Sequence, residues 1–546
     1  MIFTKRRIVI FLIVIALASL FCKLYTVDFS LPVANDNFGF TLNAIQYSQG
    51  DFFLQAKKGP GWPMFIAPFM TLVNSDNFID YSNLVRILSL SIATFTILPM
   101  YLLGRKFFNE KYALIVAIVF AFEPHLNFNS GLGLTEPLFL LVYIASFYFI
   151  LNKNQKYIYL SFIFATILTY IRFEGALMLV ALSIIYFVNF RKSPDLIKKY
   201  LVCVIIVFII LSPGLIQRYV QYGDPLYVWY NTTLFADSYS DLYTSPTDGT
   251  PTSYIEKHGV GSFIDKFILT GSYNLLKGMT SASFPYLFIL IPFGMLFSLR
   301  AFDQNHLYIR ANWIIILTML AVLVVIFSQI PDKRFVMPLY PFLMIFSVIP
   351  IQRLIEYGLS TFSFSHRKKR IFLITIILIM FVLSVAFTHG VGKYGFGKPD
   401  VEKEHEKMTY AMYAIHNFDG RMLDGDGTME YVYNIQIIEA PGGFKEYKSN
   451  RGDAYPDTYT PGHLTSIRID GKTLEELISD GEKHGVRYIA VNGEFAYFFP
   501  FLLDVYNNEK QYPYMVKIFD STESGYKKIK IKVFEIDYKK FHEIES

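Results

Sequence analysis

The sequence predicts an α-helical polytopic membrane protein of about eleven transmembrane helices with a small C-terminal extracytoplasmic α/β domain. Three observations carry this. The 546 residues are 53% hydrophobic and only 17% charged, where soluble domains carry nearer a quarter charged. Long apolar runs recur from residue 8 to residue 390, as a chain crossing a bilayer many times requires. The charge then changes sign. Of the 45 acidic and 50 basic residues, 26 and 20 fall in 391–546, a net of −6; the remaining 19 and 30 leave 1–390 at +11. The break divides a membrane domain, 1–390, from a water-soluble domain, 391–546.

The spans read as 8–25, 84–103, 112–123, 134–151, 157–171, 175–190, 200–217, 283–299, 313–330, 336–352 and 371–389. The start, Lys5-Arg6-Arg7 before an apolar run, resembles a signal peptide, but no small-x-small cleavage site follows, so it reads as a retained first helix. With the N-terminus in the cytoplasm, the inside loops are 104–111, 152–156, 189–199, 300–312 and 352–370, all rich in Lys and Arg. Loop 123–133, on the other side, has none. This follows the positive-inside rule and puts the tail outside. Loops 26–83, 123–133 and 218–282 share that side with it. Long loops in compact proteins are usually functional, so the working face is extracytoplasmic. The sequon Asn231-Thr232-Thr233 is compatible with that side.

Cys22 and Cys203 both lie in apolar runs, which argues against a disulfide framework or a cysteine metal site. The basic residues cluster at span ends, where topology explains them, and give no reason to expect nucleic acid. In the tail, 473–484 has helical spacing (Leu474, Leu477, Ile478), Arg487 to Val491 reads as a buried strand, and 528–536 alternates like a half-exposed strand. The tail shows no glycine-rich phosphate loop, and the chain no internal repeat.

The chemistry-bearing residues gather near the outer ends of spans. Asp36 precedes a run in which Phe38, Leu42 and Ile45 share one face and Asn43 and Gln46 the other, closed by Gly50. This predicts a helix lying on the membrane surface with Asp36 at its N-terminus. That position keeps a carboxylate ionised, ready to deprotonate a hydroxyl; the alternative is a plain helix cap. Lys333 and Arg334 open the span at 336–352 and are either a clamp for a phosphate leaving group or interfacial anchors. Arg172 and Glu174 sit between two short spans, as functional ionisable groups or as a structural pair. Glu123 and His125 border loop 123–133, with Glu136 beyond it; with Asp36 they offer oxygen and nitrogen donors to a divalent metal, Mg or Mn. Lys57-Lys58-Gly59-Pro60-Gly61-Trp62-Pro63 makes a rigid turn, from which Trp62 stacks on a sugar or anchors the loop.

Together these pieces resemble the GT-C glycosyltransferase superfamily, in the branch of protein O-mannosyltransferases and lipid A aminoarabinose transferases. Five segments over about residues 1–390 carry the resemblance. Asp36 stands at an acidic position of the first outside loop, commonly Asp-Glu in the family, with Asn37 in place of the Glu. Gly59 to Pro63 is similar to a Pro-rich stretch, Leu134-Thr135-Glu136-Pro137-Leu138-Phe139 to a span-opening motif, Arg172-Phe173-Glu174-Gly175 to Arg-x-Glu-Gly, and Lys333-Arg334-Phe335 with Pro338 and Pro341 to a late basic-aromatic motif. The resemblance implies sugar transfer from a polyprenyl (dolichyl-type) phosphate to a hydroxyl on a protein, lipid or glycan, with inversion. It implies Asp36 as base, Lys333, Arg334 and Arg172 on the donor phosphate, and Trp62, Glu174, Glu136 and Lys58 around the substrates, among membrane lipids. No cofactor is required on this reading; a divalent metal at Glu123 and His125 is the alternative. One rival is a metal-dependent oligosaccharyltransferase, which calls for an acidic triplet and an acceptor-reading motif that the tail lacks. Another is a lipid or solute transporter, which favours repeated halves and midplane charges.

Overall fold

The computed structural model describes residues 5–31, 35–54, 58–152, 154, 156–228, 234–235, 250–299, 306–391, 396–397, 399–425, 427–439, 442–446, 464–467, 469, 471–494 and 499–545. Lys57 and the sequon Asn231-Thr232-Thr233 lie outside the described residues. The first helices run α1 (Lys5–Tyr25), α2 (Asn35–Ser48), α3 (Gly61–Met70), α4 (Phe78–Phe95), α5 (Ile97–Phe107), α6 (Glu110–Ala121), α7 (Pro124–Ser130), α8 (Glu136–Ile150), α9 (Lys156–Ile171), α10 (Ala176–Asn189) and α11 (Leu196–Tyr222). Local chemistry sets several starts: Asn77, Asn109 and Glu123 cap α4, α6 and α7 with side-chain oxygens.

Among the described residues, six helical stretches are long and apolar enough to cross a membrane: Lys5–Tyr25, Phe78–Phe107, Leu196–Tyr222, His306–Gln329, Lys333–Thr361 and His366–Thr388. Three shorter apolar helices join them, along with two bent pairs, α6 with α7 at 54° and Pro251–Ala282 with Leu287–Ser298 at 113°. The chain is thus an integral, multi-pass membrane protein. The apolar window of Lys333–Thr361 is 89% buried and that of α11 only 11%. The Arg334 segment therefore sits at the centre of the bundle, and α11 at its periphery. α8 and α9 are locked by reciprocal bonds, Ser146 Oγ to Ser161 O at 2.9 Å and Ser161 Oγ to Ser146 O at 2.7 Å. Such small polar contacts hold helices where the hydrophobic effect gives no preference between helix and lipid.

The tail is built on a five-stranded sheet, β1 (Gly420–Gly425), β2 (Leu464–Ile467), β3 (Val486–Asn492), β4 (Met515–Asp520) and β5 (Ile531–Ile536), in the order β2-β1-β3-β5-β4. β1 runs parallel to β2 and β3; β5 is antiparallel to β3 and β4. Each face carries its own apolar core: Tyr410, Met422 and Val533 on one side, Leu423, Ile478 and Phe534 on the other.

Expectations change in two regions. The loop at 26–83 is folded into α2, α3 and the start of α4, and α2 is buried all round rather than lying on a surface: every residue from Phe40 to Tyr47 is buried, Asn43 and Gln46 included. Its polar side finds protein partners, so the helix needs no water. Much of the loop at 218–282 is helix, Pro251–Ala282, and the expected span at 283–299 is the short second arm of that bent pair. Both differences share a cause, since periodicity reports an apolar face but not whether the polar face meets water or protein.

Candidate active site

α2 carries Asp36 in its first turn. Its carboxylate Oδ2 accepts a bond from Arg334 Nη1 at 3.0 Å, across 298 residues of sequence, and Lys58 Nζ lies 3.6 Å from Oδ1. Arg334 is aimed by its own turn. Asp332 caps the 3-10 segment Lys333–Leu339, accepting from the Arg334 backbone N–H at 2.8 Å and from Nε at 2.7 Å. Lys58 reaches across α2 because residue 39 is glycine: a Cβ there would stand 2.5 Å from Lys58 Nζ. The ammonium also lies 4.9 Å from the Phe40 ring centre. Asp36 and Arg334 are 44% and 37% exposed, so this ion pair remains open to exchange with a ligand. Lys333 opens the same turn and is exposed.

A second cluster is closed. Arg172 donates from Nη1 to Glu136 Oε1 at 2.7 Å and from Nη2 to Glu174 Oε1 at 2.9 Å, and its guanidinium packs 5.3 Å from the Phe335 ring centre. Glu136 stands in the first turn of α8, where the helix dipole favours a carboxylate. Phe335 follows Arg334 in the chain, so the two cationic groups are neighbours through that ring.

Next to both opens an apolar cavity of about 650 Å³, lined among others by Tyr47, Pro60, Met64, Ile171, Ile210 and Pro213. Pro60 is two residues from Lys58, and Ile171 adjoins Arg172 in the chain; among the described residues no charged side chain lines the cavity itself. Burial pushes the Tyr47 phenol up; it stays neutral and donates to Phe53 O at 2.6 Å.

Trp62 is fully buried, donates from Nε1 to Gly133 O at 3.1 Å and stacks on Phe65. This is the geometry of an anchor rather than of an open sugar platform. The expected metal donors are not brought together: among the described residues no group of three His, Cys, Asp or Glu is placed to hold a metal ion. Glu123 is buried, accepts the Leu126 N–H at 2.6 Å as the α7 cap, and pairs with His125 Nδ1 at 3.1 Å. Its two oxygens are thereby engaged locally rather than with Asp36. Placed this way, Glu123 and His125 do not converge with Asp36 on a metal position.

Two organising residues escaped the sequence reading. Arg86, buried in α4, donates to the carbonyls of Asp28, Leu31 and Gly131 at 2.9, 3.2 and 3.1 Å. The signal was available, since a lone arginine inside an apolar run needs internal partners. Asn37, noted only as a departure from Asp-Glu, proves wholly buried and fully bonded.

A family model described as dolichyl-phosphate-mannose-protein mannosyltransferase matches residues 57–216, from the Lys58 turn through most of α11. No curated protein sequence matches the chain. Among solved structures, the Archaeoglobus fulgidus oligosaccharyltransferase in its apo form is similar with a TM-score of 0.55 and 12% identity, over 90% of this chain and 70% of that one. The same organism's oligosaccharyltransferase AglB, in complex with an inhibitory peptide and a dolichol-phosphate, gives 0.51 and 12%, over 88% and 69%. ArnT from Cupriavidus metallidurans, bound to undecaprenyl phosphate, gives 0.48 and 12%, over 97% and 98%. At such identities the likeness to these structures is one of fold. The family match thus covers under a third of the chain, and the fold is similar to that of the Archaeoglobus fulgidus oligosaccharyltransferase.

Proposed function

We propose that the chain moves a sugar from a polyprenyl phosphate, of dolichyl type, to an acceptor hydroxyl at the extracytoplasmic face, with Asp36 as general base. The observation that carries the reading is the meeting of Asp36 with Arg334 and Lys58, two residues along the chain from Pro60 in the wall of an apolar cavity. The cavity suits an isoprenoid chain, and the cations suit its phosphate. A structure of similar fold, that of AglB, is in complex with a dolichol-phosphate, which accords with this donor class. A protein acceptor accords with the family match.

Arg334 Nη1 holds the Asp36 carboxylate at 3.0 Å. A donor phosphate competes for that guanidinium, and its transfer to the phosphate frees Asp36 to accept a proton. The acceptor oxygen then attacks the anomeric carbon while its proton passes to Asp36. The carbon–oxygen bond to phosphate breaks, its electron pair staying on the leaving phosphate. Arg334, Lys58 and Arg172 offset that developing charge, and the in-line displacement inverts the anomeric carbon. Lys333, exposed in the same turn as Arg334, is a further phosphate contact on this reading. Glu136 and Glu174 hold Arg172 in place, and Trp62 holds the loop.

The test is donor consumption in membranes supplied with radiolabelled polyprenyl-phosphate mannose, glucose or aminoarabinose, for wild type and Asp36→Asn at matched expression. Consumption of one donor by wild type and not by the variant supports the reading and names the sugar. Equal consumption by both removes Asp36 as base. Consumption of none, with crude acceptor present, overturns the donor class.

A further inference from the structure

Asn37 is the residue after the proposed base, and its amide is saturated. Nδ2 donates to Leu132 O at 3.0 Å and to Gly133 O at 3.2 Å; Oδ1 accepts from Thr41 Oγ1 at 3.1 Å and from Ser82 Oγ at 3.0 Å. Two carbonyls on one side and two hydroxyls on the other fix which atom is nitrogen. The carbonyls belong to a three-residue turn on which donors from three helices converge. Arg86 of α4 takes Gly131, Asn37 of α2 takes Leu132 and Gly133, and Trp62 of α3 shares Gly133. Gly133 is required there: its φ is +69°, and a Cβ would stand 2.1 Å from Asn37 Nδ2. Beyond the turn, Thr135 and Glu136 open α8 and receive Arg172.

A continuous path of bonds therefore runs from Asp36 through the Asn37 amide and the 131–133 turn to Glu136 and Arg172. It joins the open cluster to the closed one. We infer that Asn37 is a positioning residue for this enzyme: by tying α2 to the 131–133 turn it sets the spacing between the base and the Arg172 side of the phosphate site. The inference rests on the proposed role of Asp36. A carboxylate at position 37 has no proton to donate, so it would face two carbonyl oxygens with no bond to make and push the turn away.

The experiment uses the full chain in nanodiscs, with Asn37→Asp, Gly133→Ala and the control Ser82→Ala. Asn37→Asp keeps the side-chain size, removes both N–H donors and adds charge against the carbonyls. A displacement of about 1 Å in a positioned group is worth about 100-fold; that fall is expected in kcat for Asn37→Asp, with the donor KM changed by less than about threefold. Amide exchange should quicken in 36–41 and 131–135 and stay unchanged in β3. Gly133→Ala, pressing on the same amide from the turn side, should give the same split. Ser82→Ala, which leaves both N–H bonds in place, should leave kcat close to wild type. If Asn37→Asp fails to fold, Gly133→Ala decides alone. Unchanged exchange in both segments, or quickened exchange with an unchanged kcat, overturns the inference. A wild type that consumes no donor overturns the proposed function instead, while the exchange data still decide whether the tie exists.

Discussion

The two charged clusters beside the cavity use the same residue types to opposite ends. In the Asp36 cluster the partners are 44% and 37% exposed, and the pair spans 298 residues. In the Arg172 cluster the side chains are 15%, 5% and 10% exposed, and the arginine is held by two carboxylates at once. An exposed pair contributes about 0–1 kcal/mol and is readily exchanged for a ligand. Breaking a buried pair by removing one partner costs about 3–5 kcal/mol. The open cluster therefore suits proton and phosphate traffic, and the closed one suits holding a cation in a fixed place. Counting charges near a site would not separate them; exposure and the number of partners do.

The comparison is easiest to break at Asp36. Asp36→Asn should lower kcat by about 10²–10⁴-fold, the range for loss of a general base. Its thermal stability should stay within about 1 kcal/mol of wild type, as for any half-exposed pair. A large loss of stability would move Asp36 into the structural class. Glu136→Gln should do the reverse, destabilising the bundle by about 3 kcal/mol in thermal unfolding, with activity falling because Arg172 loses its partner. A variant as stable as wild type would show the closed cluster to be exchangeable too.

Gly39→Ala sharpens the contrast within the open cluster. Alanine should stabilise α2 by about 0.5–1 kcal/mol, yet displace the Lys58 ammonium from beside Asp36, so a few-fold loss of transfer should accompany a higher melting temperature. The smallest effect lies at the seam with the tail. There Lys445 Nζ donates to Asp76 at 2.8 Å, Gln49 Nε2 donates to Lys445 O at 3.2 Å, and Phe444 packs edge-on against Phe78 and Tyr81. The hydrogen bond from Lys445 holds the Asp76 carboxyl below its ordinary range. Its contribution is therefore present above the ordinary carboxylate pKa and is lost as pH falls through the depressed one. Amide protection at 443–446, taken relative to the intrinsic exchange rate at each pH, should be flat from neutral pH down to the carboxylate range and fall slightly below it, while Phe444 keeps the seam closed.

Much of the site was legible as a list of residues. Asp36 and Arg334 stand out because charges are rare near apolar runs and must be accounted for one by one. Arg172 and Glu174 stand out through their two-residue spacing. Asn37 was read as a missing acid, because its partners, the carbonyls of Leu132 and Gly133, carry no side-chain signature. The cap made by Glu123 went unread for the same reason: it binds a backbone N–H, which every residue but proline has. α2 was expected on the membrane surface because its polar face is real, and that face is covered by other helices rather than by water.

By itself the sequence determined the class of molecule. Apolar runs must leave water wherever they fold, and alternating or helical spacing reports which side of an element does so. It determined the tail in the same way, since β3 and the helix at Leu474–Lys483 follow from short-range pattern and the Thr473 cap. Only the tertiary structure decided that Asp36 meets Arg334, that Arg172 is closed while Arg334 is open, and that Asn37 bridges them. Those contacts join residues tens to hundreds of positions apart through single hydrogen bonds and backbone carbonyls. Their geometry arises from how the helices pack, and no local periodicity encodes it.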